Sequence, residues 1–210
     1  MTPILNNNNQ QIEFGDKQHP PGKTKIMAAL RLLLEEKEFV SITTAEIAKT
    51  AGVTEALIYK YFQDKRDLLH QVLAEYLSFL ISQAETDVRG TKGALNQLRK
   101  LIYSHISMYA YNRVFARILL LEVRNYPDYF SSDAYRMVKR YTSFLLALIE
   151  KGSEEGSIRS DIHATAIRQT ILGAIEHACL AGTIFSRAIN PDQVSDEVCQ
   201  IIFRGIAVHD

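Results

Sequence analysis

The chain has 210 residues, 47% of them hydrophobic, with 24 basic residues against 24 acidic ones. That is enough apolar material for a buried core in one large domain or two small ones, and no uncharged apolar run reaches the roughly 18 residues a membrane-spanning helix needs. Zero net charge denies the chain a bulk attraction for polyanions, so any nucleic-acid contact must rest on where the basic residues stand. The opening MTPILNNNNQQ lacks the basic-then-apolar pattern of a secretory signal, and a cytoplasmic location is expected. Cys179 and Cys199 have neither CxxC spacing nor a histidine set beside them, and the six histidines are scattered, so reduced core thiols and no metal site are expected.

Taken in chain order, residues 1–19 combine an Asn/Gln run with few apolar side chains and cannot offset their ordering entropy by burial, which predicts a disordered tail. His19-Pro20-Pro21-Gly22 then breaks the chain. A helix follows, with Ile26, Ala29, Leu30, Leu33 and Leu34 at the spacing of one buried face and Lys23 and Lys25 at its exposed start. Thr43-x-x-Glu46 has the capping-box pattern and predicts a short helix over 44–50, ended at Ala51-Gly52-Val53, where Gly52 can take a positive φ. Thr54 is the expected cap of a third helix over 55–61. A fourth begins at Lys65 and carries Leu68, Leu69, Val72, Leu73, Tyr76, Leu77 and Leu80. Beyond Gly90 the pattern is helical, without strand alternation, and breaks at 90–93, 126–128, 152–161 and 190–191. Asn190-Pro191-x-Gln193 supplies an N-cap, a proline at the first helical position and a capping-box partner. The last two helices, 162–186 and 191–208, are the most apolar, and the fold class expected is all-α.

Two short helices joined by a turn containing Gly52, with longer helices on either side, form the helix-turn-helix arrangement whose second short helix lies in the major groove. Ile47 and Ala48 on the first, and Leu57, Ile58 and Phe62 on the second, suit the core. Glu55, Ala56, Tyr59, Lys60 and Tyr61 are left for the groove or the phosphates. Thr43, Thr44 and Thr54, at helix starts, can donate to phosphate oxygens beside backbone N–H groups.

The run SITTAEIAKTAGVTEALIYKYFQDKRDLL, residues 41–69, resembles the signature of the TetR/AcrR regulators at its Thr-Thr start, Ile47-Ala48, Ala51-Gly52-Val53, the Tyr59/Phe62 pair and Lys65. The likeness extends back to Lys25. It implies a one-component DNA-binding regulator in which Thr43, Thr44, Thr54, Tyr59, Tyr61 and Lys65 contact phosphates while Glu55, Ala56 and Lys60 face bases. Glu38 stands where the family often has glycine, and Ala56-Leu57 replaces a commoner small-residue pair; both departures bear on base preference more than on phosphate anchoring.

The resemblance further implies a helix-turn-helix DNA-binding domain over 20–80, with the motif itself at 43–62, and a ligand-binding and dimerisation domain over 81–210. Its last two helices pair with their copies, and the stripes Ile167, Ile171, Ala174, Ala178, Ala181 and Val194, Val198, Ile201, Ile202, Ile206 suit a shared bundle or a monomer core alike. A homodimer on a palindromic double-stranded operator is expected, since joining two half-sites is how so small a helix gains affinity. Segments 118–124, 152–161 and 173–177 are similar in order and flavour to the fatty-acid-metabolism branch, whose members respond to acyl-coenzyme A. Arg117 and Arg124, seven apart and so on one helix face, suit a phosphate or carboxylate, or else a solvated face. His105, Tyr109, Leu121 and His177 are the other candidate pocket residues, or else the histidines are hydrogen-bonded members of the core. No cofactor is expected; the effector class is acyl-coenzyme A or another hydrophobic molecule. An enzyme is not expected, because no Ser/Cys–His pair, paired carboxylates, phosphate-cradling glycine loop or metal set stands out. The expected function is a ligand-released repressor; the alternative is a carrier or interaction protein of the same fold without operator binding.

Overall fold

The computed structural model describes residues 19–207. The described residues form the helices α1 (Pro21–Glu36), α2 (Thr44–Ala51), α3 (Glu55–Tyr61), α4 (Lys65–Arg89), α5 (Ala94–Tyr111), α6 (Arg113–Arg117), α7 (Asp133–Glu154), α8 (Ala164–Ile184) and α9 (Pro191–Ile206). They contain no strand beyond one isolated antiparallel bridge between Ile158 and Ala207. Residues 1–18, where most of the expected tail falls, lie outside the described residues. His19, assigned to that tail, is instead held: its Nε2 lies 2.6 Å from a Glu75 carboxylate oxygen, and the same carboxylate pairs with Arg31 of α1.

The chain divides into two units, the first running to Phe79 and taking in Tyr126–Arg136, the second made of Leu80–Asn125 and the residues from Met137 onward. In the first, Ile26, Met27, Ala29, Leu30 and Leu34 of α1 share a core with Ile47 and Ala48 of α2, Ile58 of α3, and Leu68, Leu69, Val72, Leu73 and Tyr76 of α4. Full burial of each Leu, Ile, Val or Met side chain among them stabilises the fold by about 1.5–3 kcal/mol relative to exposure. Pro20 and Pro21 do not precede α1 as a break. Pro21 is its first residue, where the missing N–H costs nothing. The capping box at α2 is formed: the Thr43 hydroxyl accepts from the Glu46 amide, and Glu46 accepts from the Thr43 amide at 2.9 Å. The Lys37 ammonium, 2.6 Å away, and those cap bonds hold the Glu46 carboxyl down at about 2. Gly52 ends α2 at φ +65°, a conformation that costs glycine nothing. Into this same unit the later segment brings Tyr129, whose ring centroid stands 5.8 Å from that of buried His70, and Asp128, whose carboxylate is 3.8 Å from Arg66.

The second unit is a helical bundle whose core joins Leu98, Leu101, Ile102 and Ile106 of α5, Leu145 and Ile149 of α7, Ile167, Ile171 and Ile175 of α8, and Val198, Ile202 and Ile206 of α9. Gly152, expected at a break, lies inside α7. A Cβ there would stand 2.5 Å from the Ile158 Cδ1 and 2.9 Å from the Ala94 Cβ, so the glycine serves close packing and the break comes after Glu154. The Asn190 side chain caps α9 by accepting from the amides of Asp192 and Gln193, as predicted; Gln193, however, turns away from the cap and donates to Glu197 at 2.9 Å. The two expected stripes split: their core isoleucines point inward, while Ala178, Ala181 and Ile201 (76% exposed) face outward with Ile184 and Phe185. Cys179 and Cys199 are free and buried, and burial pushes both thiols up to about 11. Among the described residues no helix is long and apolar enough to cross a membrane, and no His, Cys, Asp or Glu cluster suits a metal ion.

Candidate nucleic-acid interface and effector site

The seven residues of α3 divide into an inner side, Leu57, Ile58 and Tyr61, and an exposed one. Ile58 is fully buried and Phe62, just after the helix, nearly so, while Glu55, Ala56, Tyr59 and Lys60 are exposed at the spacing of one helical face, Tyr59 at 57%. Tyr61 is not on that face: it is half-buried, its ring edge-on to Phe62 and near Gly22 of α1, whose lack of a side chain also admits Leu57. The Lys60 ammonium lies 5.8 Å from the centroid of the Tyr61 ring.

The threonines have distinct surroundings. Thr43 is engaged in its capping box. The Thr44 hydroxyl donates to Glu55 at 2.8 Å, tying the start of α2 to α3. Thr54 has the extended backbone of an N-cap, but its side chain makes no capping bond, contrary to expectation; it is exposed. Lys65 is partly buried. Its ammonium donates to the carbonyls of Phe39 (2.9 Å) and Ile42 (2.6 Å) and sits 4.4 Å from the centroid of the Phe39 ring, stitching the linker between α1 and α2 to the start of α4.

In the second unit, His105 and Tyr109 of α5 are brought together with Tyr141 of α7. The Tyr141 hydroxyl is 2.9 Å from His105 Nδ1, and the His105 ring centroid is 4.9 Å from that of Tyr109. Burial lowers the imidazole pKa to about 4 and raises both phenols above their ordinary value. The contact therefore joins a neutral imidazole to a neutral phenol, and the imidazole tautomer sets which of the two donates. Arg124 forms a two-pronged pair with Glu176 of α8, at 3.0 and 2.6 Å, and the charges of both reach His105 and Tyr109. The seven-residue argument for Arg117 and Arg124 does not hold. α6 ends at Arg117, a π-helical turn covers Ile118–Glu122, and a 3-10 turn holds Arg124, so the register of one α-helix is lost between them. Leu121 lies in that π-turn, 39% exposed, and its carbonyl accepts from the Asn125 side chain at 2.7 Å. His177 stands on the exposed side of α8. Tyr141 and Glu176, which contact the candidates His105 and Arg124, do not stand out in the sequence; the available signal for Glu176 is that it is the sole carboxylate in the α8 sequence.

Two family models cover most of the chain: that of bacterial regulatory proteins of the tetR family over residues 26–72, and that of the YsiA-like protein C-terminal region over residues 73–205. The fatty acid metabolism regulator protein of Bacillus subtilis is 25% identical over 190 residues, 90% of this chain and 98% of that protein. The crystal structure of the transcriptional regulator FadR from Bacillus subtilis in complex with stearoyl-CoA superposes with a TM-score of 0.78 at 24% identity, over 89% of this chain and 99% of that one. The fatty acid degradation regulator FadR from Bacillus halodurans gives 0.79 at 22% identity, over 90% and 98%. With its helix-turn-helix geometry, its all-helical second unit and family models matched over residues 26–72 and 73–205, the chain belongs to the tetR family of bacterial regulatory proteins.

Proposed function

We propose that the exposed face of α3 enters the major groove of a palindromic operator, and that the second unit holds an acyl-coenzyme A, or a related long-chain acyl ligand, whose binding releases the DNA. As a member of its family the chain is a ligand-responsive DNA-binding regulator that acts as a dimer. The assignments to residues and to effector class are ours. Within a DNA-binding domain over 20–80, Glu55, Ala56 and Lys60 would face bases, with Thr43, Thr44, Thr54, Tyr59, Tyr61 and Lys65 on or behind the phosphates. The observation that carries this reading is the division of α3 into an inner side and an exposed face made of Glu55, Ala56, Tyr59 and Lys60.

Within 81–210, the outward apolar residues of α8 and α9 would be covered by the partner copy. His105, Tyr109, Arg117, Leu121, Arg124 and His177 are the candidate effector contacts. Support comes from polar groups gathered in an otherwise apolar bundle, and from the fatty-acid regulators the chain resembles. A ligand shifts the DNA-binding equilibrium only by its differential affinity for the two states, so the acyl chain must bind the released state more tightly.

The test is selection from a random double-stranded pool at one salt concentration, with wild type, Tyr59→Ala, and the Tyr59→Ala, Lys65→Ala pair. Wild type is expected to enrich a palindrome that the variants do not, and stearoyl-coenzyme A, but not free coenzyme A, is expected to release it. No enrichment would favour a carrier of the same fold, and indifference to acyl-coenzyme A would overturn the effector class.

A further inference from the structure

Glu55 is an unexpected residue on a face meant for a polyanion. It is an exposed carboxylate beside Ala56, Tyr59 and Lys60, where phosphate would repel it. It is also restrained by a residue eleven positions earlier on a different helix: the Thr44 hydroxyl donates to its Oε2 at 2.8 Å. That bond engages one oxygen and restricts the side chain, leaving Oε1 as an acceptor. An ionised carboxylate can only accept hydrogen bonds. Among the base edges of the major groove, the donors are the amino groups of cytosine N4 and adenine N6. Adenine sets its amino group beside the N7 acceptor, which faces a second carboxylate oxygen unfavourably. On cytosine the amino group is the base's sole polar group in that groove.

We propose that Glu55 is a specificity-determining residue that accepts a hydrogen bond from a cytosine N4 amino group in each half-site, and that Thr44 is the residue that positions it. The proposal rests on the reading of α3 as the groove-facing element. A carboxylate that merely steadied the start of α3 would, on removal, change affinity for all sequences alike. A base-reading carboxylate changes one position of the site.

The experiment selects from the random double-stranded pool with the full-length wild type, Glu55→Ala, Glu55→Gln, Thr44→Val and Thr44→Ser, then measures affinity for the wild-type consensus and for its single-position variants. Wild type should require cytosine at one position per half-site, and replacing that pair should weaken its binding on the order of tenfold or more. Glu55→Ala should select the same palindrome and spacing with that position randomised, all variants at that position binding within about twofold. Glu55→Gln should prefer adenine there, because the amide can pair with both N6 and N7. Thr44→Val should lose part of the cytosine preference and Thr44→Ser restore it, with the rest of the consensus unchanged. A palindrome whose base distribution is the same for wild type and Glu55→Ala, or a lost position that is not cytosine, overturns the proposal while leaving the groove reading intact. Absence of any wild-type palindrome removes the groove reading itself.

Discussion

His105 lies in the second unit with its Nδ1 2.9 Å from the Tyr141 hydroxyl, and desolvation, opposed by Glu176 and aided by Arg124, lowers its pKa from an ordinary 6.5 to about 4. The folded state therefore binds this proton less readily than the unfolded chain. Stability is full above about pH 6.5, declines as the pH falls, and the loss is complete below about pH 4. The gap corresponds to about 3 kcal/mol in all, of which about 2 kcal/mol is lost by pH 5. Urea unfolding at pH 8 and pH 5, at one fixed protein concentration because dimerisation is linked to stability, reads this directly. His105→Phe keeps a ring in place and removes the titration. It also leaves the Tyr141 hydroxyl without its imidazole partner, but that cost is the same at both pH values because burial keeps the phenol neutral. Buried His70, lowered in the same direction by desolvation against the attraction of Asp128, Asp67 and Asp64, is present in both proteins and cancels. The wild type should therefore lose about 2 kcal/mol more than the variant between pH 8 and pH 5. Equal losses would refute the assignment of the acid-sensitive term to His105.

Three further substitutions probe the framework. Thr43→Ala removes the α2 cap and should cost about 1 kcal/mol, seen as a melting temperature a few degrees lower. Gly152→Ala, which in an exposed helix would stabilise by about 1 kcal/mol, should here destabilise by about 1–3 kcal/mol as its Cβ meets Ile158 and Ala94; a raised melting temperature would contradict the packing argument. Lys65→Met deprives the Phe39 and Ile42 carbonyls of their shared donor and should cost about 1–3 kcal/mol in urea unfolding. An unchanged midpoint would mean that the ammonium does not hold the linker.

The reading head was legible because its signals are local. A threonine and a glutamate three apart make the α2 cap, Gly52 supplies the positive φ, and the apolar spacing from Leu57 to Phe62 orients α3, so its bounds, Glu55–Tyr61, match the expectation. Gly152 misled because a glycine that turns the chain and one that lets two helices touch look alike in sequence. Thr54 and Gln193 have the right identities for caps, but a side chain chooses between its own backbone and any competitor in reach, as Gln193 does with Glu197. The polar cluster of the second unit was only half visible in the sequence. His105 meets Tyr141 across 36 residues and Arg124 meets Glu176 across 52, pairings that no local period encodes. The π-turn at Ile118–Glu122 is a change of register that a fixed helical spacing cannot anticipate.

The stretch Tyr126–Arg136 belongs to the first unit although α5 and α6 intervene in the chain, and this bears on how the protein is made. On a ribosome adding roughly 5–20 residues per second, Arg136 is joined roughly 3–11 s after Phe79. Until then His70 has no Tyr129 ring beside it and Arg66 no Asp128 carboxylate. The first unit is thus a loop-closed object, finished only after part of the second unit has been synthesised. A nascent or truncated chain ending at Phe79 carries every element of the helix-turn-helix and still lacks one wall of the unit that supports it.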